Sequence, residues 1–255
     1  MGDAIREQFK ARAEKFDDSA NWIKDRGLLE LHYRLAKCSK NSKVLDLCCG
    51  TGFVGEKFFG KVGLICGVDI SLEMLKYAQK RINYCINAQA ELLPFKDRSF
   101  DIVICRQAFH FLELKKVIFE IHRILKKEGQ VIVSQIVPFG EDDKRWLYKI
   151  HTAKQPALKN FLEEKVLVNL LNSIGYIHIR SCHYYLKESI NRWLKFTPEL
   201  SAQTVANIKE MFYNAPLSYK QVHETEFLDG DIVDKMKWFV VAGQKKSLRR
   251  CYENK

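Results

Sequence analysis

Two carboxylates and three glycines stand at spacings that could seat a ligand. Asp46 lies inside a short apolar run, Val44-Leu45-Asp46-Leu47, and Cys48-Cys49-Gly50-Thr51-Gly52 follows at once. Gly50, Gly52 and Gly55 spell G-x-G-x-x-G, and Asp69 closes a second apolar run, Val62 to Val68. Glycines between a strand and a helix let backbone approach a ligand closely, and an acid ending the next strand can accept hydrogen bonds from ribose hydroxyls. Dinucleotide sites and S-adenosylmethionine sites share this pattern. Asp46 separates them, because a carboxylate four residues before Gly50 would repel a pyrophosphate and suits a ligand carrying an ammonium and a sulfonium.

Further on, Cys105-Arg106-Gln107-Ala108-Phe109-His110-Phe111 places a cation and an imidazole after another apolar run. A neutral His110 could take a proton from an acceptor, and a scaffold histidine would look the same. His151, His183, Tyr184, Tyr185 and Tyr213 are polar aromatics that could touch a substrate, and Trp193, Phe196, Phe212 and Tyr219 suggest either an apolar pocket or a buried helix face. The eight cysteines (38, 48, 49, 66, 85, 105, 182 and 251) are scattered without a C-x-x-C pair, so they read as reduced core thiols and no metal site is expected.

The elements that must position these groups alternate. Strands are expected at 43–48, 62–68, 84–88, 100–105 and 130–135, with helices at 53–60, 72–81 and 113–126. Such alternation gives an α/β, doubly wound sheet whose right-handed crossovers bring the loops after successive strands to one crevice. Residues 1–40 carry helical spacing through Ile5, Phe9, Ala13 and Phe16, and form an N-terminal helical cap ahead of a core at 41–135. The segments 136–162 and 187–228 interrupt the alternation and read as substrate-cap insertions within one domain spanning 1–255. A helix at 163–174, a strand at 176–185 and a last strand from Met236 to Ala242 complete the chain, and 245–255 reads as a basic tail. The net charge of +11 favours anionic partners, although the cations are spread along the chain. No window approaches the roughly 18 to 20 uninterrupted apolar residues of a membrane span, and the charged N-terminus is unlike a signal peptide, so a cytoplasmic location is expected.

In order along the chain, Val44-Leu45-Asp46-Leu47-Cys48-Cys49-Gly50-Thr51-Gly52, Val68-Asp69-Ile70-Ser71 with Met74-Leu75, Ala90-Glu91-Leu92-Leu93-Pro94-Phe95 and Ser99-Phe100-Asp101-Ile102-Val103 resemble the successive motifs of class I S-adenosylmethionine-dependent methyltransferases. The branch most resembled contains the ubiquinone and menaquinone C-methyltransferases and many small-molecule methyltransferases, over about residues 40–135. The resemblance implies a Rossmann-like, seven-stranded, mostly parallel sheet with the last strand antiparallel between its neighbours. It also implies S-adenosylmethionine as cofactor. Asp46 would then hold the ammonium, Asp69 the ribose diol, and Gly50 and Gly52 the close approach to the methionine moiety. Cys48, where the superfamily more often has a glycine, would be a small pocket wall; Ile70 and Met74 would sandwich the adenine. Gln89 and Ala90 would meet its edge, with Gln89 in the place of the family's acid. Arg106 would touch the cofactor carboxylate or form a salt bridge elsewhere, and His110 is the candidate catalytic base.

Methyl transfer from a sulfonium is an in-line displacement that needs alignment more than acid-base chemistry, which accords with the absence of a triad. The expected activity is methylation of a small, aromatic or apolar acceptor. The alternatives are an RNA methyltransferase, less favoured because no RNA-binding module is recognisable, a carboxyl methyltransferase acting on an acyl carrier, and a silent methyltransferase-like binding subunit. An NAD-dependent dehydrogenase is disfavoured by Asp46. Oligomeric state is not legible in the residues.

Overall fold

The computed structural model describes residues 2–197 and 199–246. The chain opens with α1 (Gly2–Arg12), a 3-10 stretch (Ala13–Asp18), α2 (Asn21–Lys24) and α3 (Arg26–Leu35). It continues through β1 (Lys43–Leu47), α4 (Phe53–Glu56), β2 (Leu64–Asp69), α5 (Leu72–Ala78), β3 (Tyr84–Asn87), β4 (Phe100–Arg106), α6 (Leu114–Ile124) and β5 (Leu125–Ile136). Then come α7 (Glu141–Lys154), α8 (Glu164–Ser173), β6 (Tyr176–Ser189), α9 (Ile190–Lys195), α10 (Ala202–Tyr213), α11 (Leu217–Val222), β7 (Glu226–Leu228) and β8 (Asp231–Lys245).

The sheet runs β3-β2-β1-β4-β5-β8-β6. Its first five strands are parallel. β8 enters antiparallel between β5 and β6, as the family resemblance implies. An eighth, three-residue strand, β7, pairs with the start of β8 and was not expected. Alternation of side chains along the central strands fills two cores. Val44, Ile102, Ile104 and Ile132 point to one face, and Leu45, Leu47, Val103, Val131 and Val133 to the other. Both faces are covered by helices, so these strands read as continuous apolar runs.

Differences from the expected boundaries have local causes. α4 stops at Glu56 because tight turns take over, with Lys57 N–H bonded to Val54 and Phe58 N–H to Gly55. β6 and β8 extend well beyond their apolar stretches, pairing from Tyr176↔Lys245 to Ser189↔Val233. Their outer halves alternate with polar residues and carry only a half-strength apolar signal. Lys245 belongs to β8, where its ammonium bonds the Leu125 carbonyl at 2.8 Å, and the remainder of the expected tail after Lys246 lies outside the described residues.

Two buried histidines fasten the helices to the sheet. His32 of α3 donates from Nδ1 to the Leu28 carbonyl (2.6 Å) and accepts at Nε2 from the Ser134 hydroxyl of β5 (2.7 Å). His223, just after α11, lies between Asp143 of α7 (3.0 Å from Nε2) and Asp234 of β8 (3.1 Å from Nδ1), all three being at most 1% exposed. Among the described residues no helix is long and apolar enough to cross a membrane.

Candidate active site

The ends of β1, β2 and β4 open into one cavity of about 280 Å³, and the turn after β1 forms part of its wall. Its backbone requires glycine. Gly50 and Gly52 have φ of 53° and 91°, and a Cβ on Gly52 would come within 3.2 Å of the Ala78 backbone. Above Gly50 there is room only up to the ring of Phe16, 3.5 Å from where a Cβ would stand. Cys48 itself has φ 55°, and the neighbouring Cys105 thiol together with burial pushes its thiol pKa well up, so it stays protonated. It is a wall of the cavity and not a nucleophile.

The two acids are held by the turn they serve. Asp69 accepts from the Gly50 amide (2.8 Å) and the Ser71 amide (2.9 Å), one bond at each oxygen. Asp46 accepts from the Gly55 amide at 2.8 Å through Oδ2, and its Oδ1 has no partner among the described residues. Both line the cavity. Burial raises Asp46 to about 7, opposed by the Gly55 amide and the Arg106 charge, and burial raises Asp69 against its amide bonds. Two buried carboxylates with elevated pKa values, beside a bend that brings backbone close, form a seat for a positively charged ligand.

The remaining expected residues divide. Ile70, Gln89 and Ala90 line the same cavity, and Met74 does not: it is fully buried on the inner face of α5 and takes no part in the cavity wall. Arg106 lines the cavity, yet its fork donates to main-chain carbonyls, Trp22 at 3.1 Å and Ile23 at 3.2 Å, and its guanidinium lies 5.0 Å from the Trp22 ring centre. It forms no salt bridge among the described residues, although burial lowers it only to about 10 and leaves it charged. Arg106 therefore pins α2 over the cavity. His110 is 6% exposed and, with Gln135 Nε2 donating to its Nδ1 at 2.7 Å, carries its proton on Nε2. Burial lowers it to about 4, so it is neutral, but in this arrangement it offers an N–H and not a lone pair.

Among the other polar aromatics His151 lines the cavity, while Tyr184 bonds Asp25 at 2.8 Å, His183 pairs with Glu164, and Tyr185 and Tyr213 are exposed. Trp193 and Phe196 are cavity walls; Phe212 and Tyr219 belong to the core. A chain of ring contacts, Phe111 to Phe9 to Phe16 to Trp22 to Trp238, with centroids 5.4 to 6.3 Å apart, lays the N-terminal segment across the opening. Sequence reasoning missed Arg12, Lys154 and Glu188, all at most 5% exposed and all lining the cavity. A signal existed for two of them: Lys154 follows Leu147 and Ile150 by seven and four residues, and Arg12 follows Phe9 by three, so each charge falls on its helix's apolar stripe. Among the described residues no cluster could hold a metal ion, and the seven of the eight cysteines that fall within them are free thiols.

Comparison with known proteins agrees with this geometry. A family model described as a methyltransferase domain matches residues 45–133. The chain is 35% identical over 150 residues to an uncharacterized protein of Methanocaldococcus jannaschii, covering 56% of this chain and 69% of that one. It is 36% identical over 115 residues to the demethylmenaquinone methyltransferase of Thermotoga maritima, 43% of this chain and about half (49%) of the relative's length. The crystal structure of the YcgJ protein of Bacillus subtilis superposes with a TM-score of 0.77 at 21% identity, over 86% of this chain and 98% of the other. The shared fold thus extends well past the matched segment, into the helices and strands that follow β5. The chain belongs to the class I S-adenosylmethionine-dependent methyltransferases, with S-adenosylmethionine as its cofactor.

Proposed function

We propose that this methyltransferase acts on a small organic acceptor enclosed between the glycine turn and the segments 136–162 and 187–228. The observation that carries this reading is the single cavity walled on one side by Asp46, Gly50 and Asp69 and on the other by α1, α7 and α9. The donor set fits the cofactor: the bare backbone of Gly50 faces the cavity, with the Phe16 ring 3.5 Å from where a Cβ would stand, and among the described residues Asp46 keeps one carboxylate oxygen free for a positive charge. Asp46 would take its ammonium through the free Oδ1, Asp69 the ribose hydroxyls, and Ile70, Gln89 and Ala90 the adenine. Cys48 would wall the methionine moiety. Bound there, S-adenosylmethionine supplies an already activated methyl group on a sulfonium.

The chain's own residues then orient the acceptor and exclude water. The ring contacts from Phe111 to Trp238 close the mouth, and Arg106 anchors the segment that bears Trp22. His110 would orient an acceptor through its Nε2–H. Enclosure of this kind suits a proximity mechanism, in which alignment lowers the barrier by several kcal/mol. The relatives named for quinone methylation support a small acceptor with an aromatic body.

The net charge of +11 favours a second reading, methylation of RNA. Label transfer from S-adenosylmethionine decides between them. With a panel of small phenols, enols and acids offered beside tRNA at rising salt, label should enter a small molecule and persist with salt. Label confined to tRNA, with a rate that falls steeply as salt rises, would remove the small-acceptor reading. Thermal shift provides the cofactor control, since a ligand at 100 times its dissociation constant stabilises by about 2.7 kcal/mol; NAD should give no shift.

A further inference from the structure

One wall of the cavity carries a buried ammonium that the cofactor does not require. Lys154, the last residue of α7, is 5% exposed and lines the cavity, yet among the described residues it makes no hydrogen bond and no ion pair. Its Nζ lies 3.9 Å from the centre of the Trp193 ring. Nearby, Arg12 is ion-paired through Nη2 to Glu199, but its Nε is buried without a partner, and so is Nε2 of His151. Both residues line the same cavity.

The acids of the neighbourhood are engaged elsewhere. Glu199 is held by Arg12, and Glu188 receives the amides of Asn21 and Trp22. Burial first, and the Arg12 charge next, push Lys154 well below the ordinary ammonium range, partly offset by Glu199 and Glu188 at longer reach. A buried cation without a partner is strongly unfavourable, and a fold retains one where a ligand completes it. The missing partner is specified by what is present: two cationic N–H donors and an indole face select an oxyanion on a flat or apolar body.

We propose that Lys154 and Arg12 form the recognition site for an acidic acceptor, whose oxyanion lodges between Lys154 Nζ and Arg12 Nε with its body against Trp193. This rests on the reading that α1, α7 and α9 enclose the acceptor. The oxyanion belongs to a carboxylic acid or to an acidic hydroxyl, phenol or enol. The acceptor binds as its oxyanion, which pairs with the ammonium already on Nζ, so no proton changes hands and the buried charge gains the partner it lacks.

Binding, and not turnover, tests this. The full chain, saturated with S-adenosylhomocysteine in mildly alkaline buffer, is titrated calorimetrically with benzoate and para-nitrophenolate and with their neutral counterparts, benzamide and nitrobenzene. At least one acid should bind about tenfold or more tightly than its neutral counterpart; benzoate leading identifies a carboxylate, para-nitrophenolate an acidic hydroxyl. Lys154→Met should abolish that preference, leave S-adenosylhomocysteine binding unchanged and raise the melting temperature of the ligand-free protein, because an unpaired buried charge has gone. Lys154→Arg should keep the preference. Label entering only tRNA while the acid preference persists would remove the small-acceptor reading and leave the anion site standing. Equal binding of acids and neutral counterparts, an unchanged preference in Lys154→Met, or a lowered melting temperature in that variant would overturn the proposal.

Discussion

α7 buries a charge at each end, and the two ends are treated in opposite ways. Asp143, in its first turn, accepts from the Phe139 and Gly140 amides at 2.8 and 2.7 Å and from His223 at 3.0 Å, so both oxygens are satisfied. Lys154, at the other end and as deeply buried, has no hydrogen-bond or ion-pair partner among the described residues. A helix N-terminus welcomes an acid and a C-terminus a base, so the macrodipole favours both residues and explains neither difference. What differs is closure. His223 also reaches Asp234, which receives the hydroxyls of Tyr219 and Thr225, and the knot ties α7, α11 and β8 with no polar atom left over. Burial depth therefore does not separate a structural charge from a binding one; the count of unfilled partners does.

The largest effect should come from cutting the knot. His223→Leu leaves Asp143 and Asp234 facing each other's neighbourhood without the imidazolium, and about 3 kcal/mol or more of stability should be lost in urea denaturation. A loss below about 1 kcal/mol, as for an exposed pair, would break the contrast with Lys154. The pH dependence has a definite sign. Burial pulls His223 down, but Asp143 and Asp234 more than offset it, so its pKa in the fold is raised above 6.5. Its contribution is complete below that unfolded value and is lost as pH climbs through the higher folded one. Asp143 runs the other way: His223 and the two amides outweigh burial and hold it below 3.8, so its contribution is complete above that value and is lost as pH falls through the folded one. Wild type should thus lose thermal stability as pH rises from 6.5 through the folded pKa of His223, and His223→Leu should not show that slope.

Asp69→Ala comes next. It orphans the amides of Gly50 and Ser71, which should lower stability by about 2 kcal/mol and weaken S-adenosylmethionine binding at least tenfold. An unchanged affinity in calorimetry would remove the ribose role and leave Asp69 as a cap alone.

Asp46 gives a gentler test that needs no substitution. With its pKa raised to about 7, it is largely neutral at pH 6 and largely ionised at pH 8. If its anion holds the cofactor ammonium, affinity should rise about tenfold between those two values, following the ionised fraction. A flat profile would show that another group carries the positive end.

The cofactor end of the cavity was legible because its demands are local. Gly50, Gly52, Asp46 and Asp69 act through backbone within a single turn and the two strands that bracket it, so neighbours in sequence are neighbours in space. The proposed acceptor end draws on residues 12, 154, 188 and 193, from four different elements, and no spacing rule links them. Helical periodicity could have flagged Arg12 and Lys154 as charges on apolar stripes. It could not have said that one would be paired and the other left open. Met74 and Arg106 show the reverse limit: a motif fixes where a residue sits, while the direction of its side chain depends on what packs behind it. Met74 turned into the core, and the Arg106 fork found the carbonyls of Trp22 and Ile23.

Arg106 supplies the smallest effect and the finest test of the contrast. Like Lys154 it is a cation lining the cavity; like His223 its donors are engaged, here by main chain of α2. Arg106→Lys keeps the positive charge near Asp46 and removes the fork that reaches two carbonyls at once. Stability should fall by about 1 kcal/mol, the net worth of the lost hydrogen bonding, and limited proteolysis should cut the first 25 residues faster. Because the charge remains, the rise of cofactor affinity with pH set by Asp46 should be unchanged. If Arg106→Lys instead altered that profile and left proteolysis alone, Arg106 would be an electrostatic partner of the cofactor site and not a clamp on the segment that covers it. The distinction between engaged and open cations would then have to be drawn at Lys154 alone.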